Sequence, residues 1–164
     1  MIHLKKNLLL NHSAKNMFDL VHQTEKYPEF LPWCGGIVDL GTSIAPLNGA
    51  ICPHKRTKVN IDYHGVKLFF ATENHHFYEE QKHEYFIHMN FIDGPFKKFD
   101  GRWFLTQLKH SENDNACKVR FELDYEFSNG LLDRVISPVF NMLTGTFVER
   151  FVERADAIYG VEEF

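Results

Sequence analysis

The chain has 164 residues, a formal net charge of −4 and sixteen phenylalanines. That length suits one domain able to bury a core without staples, and the acidic balance argues against a general nucleic-acid binder, so no DNA partner is expected. Three cysteines without C-x-x-C spacing (Cys34, Cys52 and Cys117) argue against a disulfide framework, the first residues lack a signal-peptide pattern, and no apolar run reaches a membrane span.

In chain order, "IHLKKNLLL" predicts a first strand. Ser13 is placed as the N-cap of a helix over "AKNMFDLVHQ", where Met17, Leu20 and Val21 share a face. "KYPEFLPWC" carries two prolines and three aromatics and predicts one short helical turn starting at Pro28 and ending before Pro32. From about residue 34 to 127 the signals are those of strands. "TKVNIDY" alternates, "HG" at 64–65 marks a turn, "VKLFFATEN" and "EYFIHMNF" follow, and "DGP" at 93–95 marks another turn. "KKFDGRWFLTQL" and the polar loop "KHSENDNA" lead into "CKVRFELDYEF". There every odd position from Cys117 to Phe127 is apolar or aromatic and every even one is charged, the pattern of a strand with one wet and one apolar face. Successive strands joined by short turns imply an antiparallel meander.

The period then changes. Leu132, Ile136, Phe140, Leu143, Phe147, Phe151, Ala155 and Ile158 recur every three or four residues, an amphipathic helix over 131–159 capped by Asn129 and kinked or divided at Pro138. Gly145 and Thr146 are weak helix formers inside it. A sheet with one apolar face must be covered, and this helix is the longest element available to cover it. The fold class read here is α+β: a curved antiparallel sheet of six to seven strands around a long C-terminal helix, with two short helices after the first strand.

"MFDLV", "YPEFLPWC", "DGPFKKFDGRW", "CKVRFELDYEFSN" and "FVERFVERADAIYG" resemble, in this order and spacing, the START-like polyketide cyclase/dehydrase family. The nearer resemblance is to its branch of coenzyme Q-binding proteins and bacterial ribosome-association toxins, and it spans nearly the whole chain. It implies a helix-grip fold around an apolar cavity. It also implies non-enzymatic binding of a polyisoprenoid quinone (ubiquinone) in support of respiratory electron transport, in a cytoplasmic protein with peripheral contact at the inner membrane. The alternative it implies is a toxin that binds the large ribosomal subunit and blocks subunit association. A cyclase-like enzyme is the third reading. Glu73 stands where the resemblance leads one to expect a basic residue.

Inward residues opposite the helix are the candidates for a cavity lining, against plain core packing: Phe70, Phe91, Trp103, Phe121, Leu123, Tyr125, Phe140, Leu143 and Phe147. Tyr27, Phe30 and Trp33 sit on the proline-stiffened segment as either a rigid corner or a lid. Two basic clusters, Lys55, Arg56 and Lys58, and Lys97, Lys98 and Arg102, suit a solvated face, anionic lipid or ribosomal RNA. His75 and His76 are neighbours on a strand and point to opposite faces, so no metal is expected from them. The interior offers Tyr63, Tyr85, Tyr125 and Cys117 as polar groups and no placed carboxylate or histidine, since His88 is out of phase with Ile87 and Met89. No catalytic residue is assigned.

Overall fold

The computed structural model describes residues 1–47, 50–108 and 115–160, and of 43–47 and 50–53 the backbone alone. Most of the polar loop read at 109–116 and the side chain of Cys52 lie outside the described residues. The strands are β1 (Ile2–Leu10), β2 (Cys34–Leu47), β3 (Ala50–Tyr63), β4 (Val66–Glu79), β5 (Glu84–Asp93), β6 (Phe96–Gln107) and β7 (Cys117–Phe127). They form one antiparallel sheet in the order β1-β7-β6-β5-β4-β3-β2, so β2 to β7 are a meander and β1 closes back on its end. Register shifts in β2, β4 and β6 mark where the sheet bends.

Alternation along β7 explains why the sheet has one covered face. Cys117, Val119, Phe121, Leu123, Tyr125 and Phe127 are all buried, while the charged residues between them face outward. Burying each large apolar side chain contributes about 1.5–3 kcal/mol before ordering costs. Two glycines adapt the sheet locally. Gly94 ends β5 with φ 138°, and a Cβ there would lie 3.0 Å from the Phe69 carbonyl oxygen. Gly101 faces inward on β6, and a Cβ on it would meet Met89 Cε at 2.3 Å.

Helix α1 (Ala14–His22) begins as read, with Ser13 Oγ accepting from the Asn16 N–H at 3.1 Å. It lies over the β5–β6 end of the inner face, where Phe18 stacks on Tyr85 at 4.7 Å. The following 3₁₀ helix spans Thr24–Glu29 and so starts four residues before the proline expected to open it. Its first turn is closed by the Lys26 N–H donating to the Gln23 carbonyl at 3.1 Å, and Pro28 enters only near its end.

The C-terminal helix is divided, but not at Pro138. Helix α2 (Gly130–Gly145) runs through that proline, and α3 (Phe147–Tyr159) follows after Thr146. Pro138 is exposed, so the carbonyl it leaves without a donor can be hydrated. At the junction, the Thr144 hydroxyl donates to the Phe140 and Asn141 carbonyls and that of Thr146 to the Met142 and Leu143 carbonyls. Such back-bonding bends helices, and Gly145 contributes no side chain to hold the turn. Asn129 caps α2 as read, its Oδ1 accepting from the Leu132 N–H at 2.9 Å. Helix α3 is tied down by polar pairs, Lys6 Nζ to Glu149 at 3.3 Å and buried His12 to Asp156 at 2.7 Å. Among the described residues no helix is long and apolar enough to cross a membrane.

Candidate functional site

Between the sheet and the α2–α3 junction lies a cavity of about 60 Å³. Its floor comes from alternate residues of five adjacent strands: Thr57, Val59 and Ile61 of β3, Phe70, Thr72 and Asn74 of β4, Met89 of β5, Phe99 of β6, and Phe121 and Leu123 of β7. The roof is Phe140, Leu143 and Thr144 of α2 with Phe147 at the start of α3. Thr24, Tyr27 and Trp33 close one end. The void lies where the C-terminal helix is divided, beside Thr144 at the end of α2 and Phe147 at the start of α3.

Six of the nine residues proposed for the lining are in it: Phe70, Phe121, Leu123, Phe140, Leu143 and Phe147. The other three face inward but pack elsewhere. Trp103 is fully buried against Phe121, Phe147 and Phe151, with ring centroids at 4.6, 5.8 and 5.3 Å, beneath α3. The Tyr125 ring packs on Phe140 at 4.8 Å and its hydroxyl donates to Asn141 Oδ1. Phe91 packs with Phe96 and Phe99 at 6.0 and 6.5 Å. Facing is set by strand period, whereas the packing of each inward ring on its neighbours decides whether it meets empty space.

Tyr27 and Trp33 are both 6% exposed and form a wall in this state. The Tyr27 hydroxyl donates to the Val21 carbonyl and its ring meets Phe151 edge-on at 5.3 Å. Phe30 packs on Phe151 at 5.1 Å, with the Arg154 guanidinium 5.3 Å above it. The segment is a packed corner here.

Polar groups of the lining are neutral. Thr24 and Thr57 hydroxyls lie 3.5 Å apart, and Thr72 donates to Asn74 Oδ1 at 2.8 Å. Thr72 and Asn74 follow Phe70 at steps of two along β4, the signal that puts them on the same inward face, whereas Thr24 precedes the strand region and carries no such signal. Among the described residues the lining holds no carboxylate, histidine or amine. Tyr63, Tyr85 and Cys117 are outside it, and burial pushes the Cys117 thiol up to about 12.

The two basic clusters come apart on the surface. Lys55 Nζ donates to the His22 carbonyl and to Glu25, both at 3.0 Å. Arg56 lies 3.6 Å from Glu73, and the Lys58 ammonium sits 4.4 Å over the Phe69 ring. Arg102 is enclosed by Asp100, Glu122 and Asp124. Lys97 and Lys98 are exposed beside the β5–β6 turn and make no ion pair among the described residues.

His76 turns inward against Phe18 and His22, with ring centroids at 5.6 and 4.5 Å, and its pKa is lowered to about 4 by burial and by its His22 and Lys55 neighbours. His75 turns outward and stacks on His54 at 3.7 Å. The two neighbours thus face apart, as the strand period requires.

Comparison with known proteins agrees with this architecture. Residues 10–152 match the family described as "Polyketide cyclase / dehydrase and lipid transport". The chain is 34% identical to the ribosome association toxin RatA of Vibrio cholerae serotype O1, over 96% of its own length and 97% of the relative's. Among solved structures it is similar to an 18 kDa protein of Caulobacter crescentus (TM-score 0.68, 20% identity, 98% and 100% of the two chains). It is also similar to a START superfamily protein of Mycobacterium smegmatis (TM-score 0.60, 20% identity, 94% of each). With its seven-stranded curved sheet closed by a divided C-terminal helix, the chain belongs to the polyketide cyclase/dehydrase and lipid transport family.

Proposed function

We propose that this chain acts on ribosome association, binding the large ribosomal subunit and opposing its pairing with the small one. The observation that carries the reading is the 34% identity to a protein named ribosome association toxin, over nearly the full length of both chains. The accessible lysines beside the β5–β6 turn, Lys97 and Lys98, are the cations best placed to meet ribosomal RNA phosphates, since Lys55 and Arg102 are already paired.

The test is sedimentation of ribosomes through a density gradient at physiological salt, with and without the purified chain. The expected result is fewer intact ribosomes, more free subunits, and the chain travelling with the large subunit. An unchanged profile with the chain left at the top of the gradient overturns the reading.

A second reading, a carrier of an apolar guest such as a polyisoprenoid quinone at the inner membrane, is favoured by the apolar lining of the cavity. Its volume weighs against it. About 60 Å³ is less than half of the ~150 Å³ that admits benzene in an engineered protein cavity. A prenyl chain would therefore have to part α2 from the sheet. Mass spectrometry of an organic extract of the gently purified chain separates the two: a stoichiometric quinone supports the carrier, and an empty extract leaves the ribosomal reading.

A further inference from the structure

The outer face of the sheet carries a cross-strand group that neither reading uses. His54 on β3 stands opposite His75 on β4, and Arg56 stands opposite Glu73. His54, Glu73 and His75 therefore share one face, with Glu73 on the diagonal from His54. His54 is 7% exposed and its Nδ1 lies 2.8 Å from Glu73 Oε1. An ionised carboxylate only accepts, so Nδ1 donates to it, and a metal ion bound between the two atoms would displace that proton. Nε2 of His54 is buried without a hydrogen-bond partner, and so is Nδ1 of His75. Buried ring nitrogens without partners are unfavourable unless something binds them.

We propose that His54, Glu73 and His75 form a binding site for a divalent transition metal, with Zn²⁺ the fitting ion. Each residue offers one ligand atom, and the three atoms lie within 4.8 Å of one another. Zn²⁺ holds nitrogen and oxygen ligands at ~2.0–2.1 Å, which puts tetrahedral neighbours roughly 3.3 Å apart. Glu73 Oε1 already lies 2.8 Å from His54 Nδ1, so the ion would take the place of the proton between them and His75 supplies the remaining movement. The two rings are stacked with planes 13° apart, so one must rotate to bring both lone pairs onto one point, and the partly exposed His75 is free to do so.

Two imidazoles and a carboxylate leave a fourth position for water, and this donor set suits Zn²⁺ rather than Mg²⁺. The nearest opposing charge is Arg56, 3.6 Å from Glu73 Oε1, and its half-exposed side chain can swing into solvent. The next ring in the row, His88, is held by Asp100 at 2.6 Å and stays out of the ligand set. The ion would join β3 to β4 across the sheet and replaces the expectation of no metal, which weighed His75 only against His76.

The experiment is calorimetric titration of the full chain, free of any polyhistidine tag and stripped with a chelator, with ZnCl₂ and separately MgCl₂. One Zn²⁺ per chain, no Mg²⁺ binding, and at least about tenfold weaker Zn²⁺ binding in Glu73→Gln and in His75→Ala are expected, with His3→Gln unchanged. Absence of stoichiometric Zn²⁺ binding, or equal binding by the wild-type chain and both variants, overturns the proposal. Should His75→Ala fail to fold, X-ray absorption at the zinc edge of the wild-type complex decides: two imidazole ligands support the site, and fewer than two overturn it. None of these outcomes depends on ribosome binding.

Discussion

Gly101 on β6 and Met89 on β5 are register partners, and the methionine side chain crosses the space that any Cβ on the glycine would take: its Cε would lie 2.3 Å from that atom. Met89 reaches the cavity floor over a bare stretch of backbone. Gly101→Val is expected to push Met89 into the void and to destabilise the fold by about 1–3 kcal/mol, the usual range for overpacking. Urea unfolding measures it. Adding Met89→Ala should recover most of the loss, and an additive double mutant would show that the two side chains do not compete for this space.

Gly145 ends α2, and nothing lies within 4 Å of a Cβ built on it. Its backbone is not in the left-handed region, so alanine meets neither strain nor clash there. Gly145→Ala is expected to raise stability by about 0.5–1 kcal/mol through the lower entropy of its unfolded chain. A fall in the melting temperature would mean that the α2–α3 junction needs the freedom of glycine.

Lys97 and Lys98 carry the surface side of the ribosomal reading. Charge reversal at both, Lys97→Glu with Lys98→Glu, is expected to weaken large-subunit binding and to lower the salt slope of that binding by roughly one per lost phosphate contact. Thermal stability should not change, because neither lysine is buried or ion-paired among the described residues. Full binding by the double variant would remove this turn from the interface.

Asp124 reports on acid stability. Hydrogen bonds from His3 and then Arg102 hold its carboxyl below the ordinary value of 3.8. A depressed carboxylate stabilises the fold at pH values above its unfolded pKa and loses that contribution as pH falls through the folded one. Asp124→Asn should therefore be less stable than wild type at neutral pH, with the gap closing below about pH 4. Denaturant midpoints measured across that window check it, and a gap independent of pH would refute the assignment.

The outer histidine pair shows how much was countable. In the hairpin about His64–Gly65, paired residue numbers share one sum: Tyr63 opposes Val66, and His54 opposes His75. Carrying that sum down both strands would have placed His54 beside His75, whereas comparing His75 only with its chain neighbour missed it. The length of the strands was the missing piece, because "TKVNIDY" is only the later half of β3. Pro138 failed as a divider for a related reason. Pro138 lies on the exposed side of α2, where the carbonyl it deprives of a donor can be hydrated, and which side is wet is a tertiary fact.

Alternation and helical period, read from residues alone, determined the antiparallel run of strands, the caps at Ser13 and Asn129, and the inward face of β7 and of the C-terminal helix. These follow from the local geometry of the backbone, which every residue obeys wherever it sits in the fold. The tertiary structure alone decided that Phe121 borders empty space while Trp103 on the next strand does not, that Arg102 is neutralised while Lys97 has no ion pair among the described residues, and that His54 meets Glu73. Each of these depends on distances between groups far apart in the chain, set by how sharply the sheet bends and where the last helix breaks.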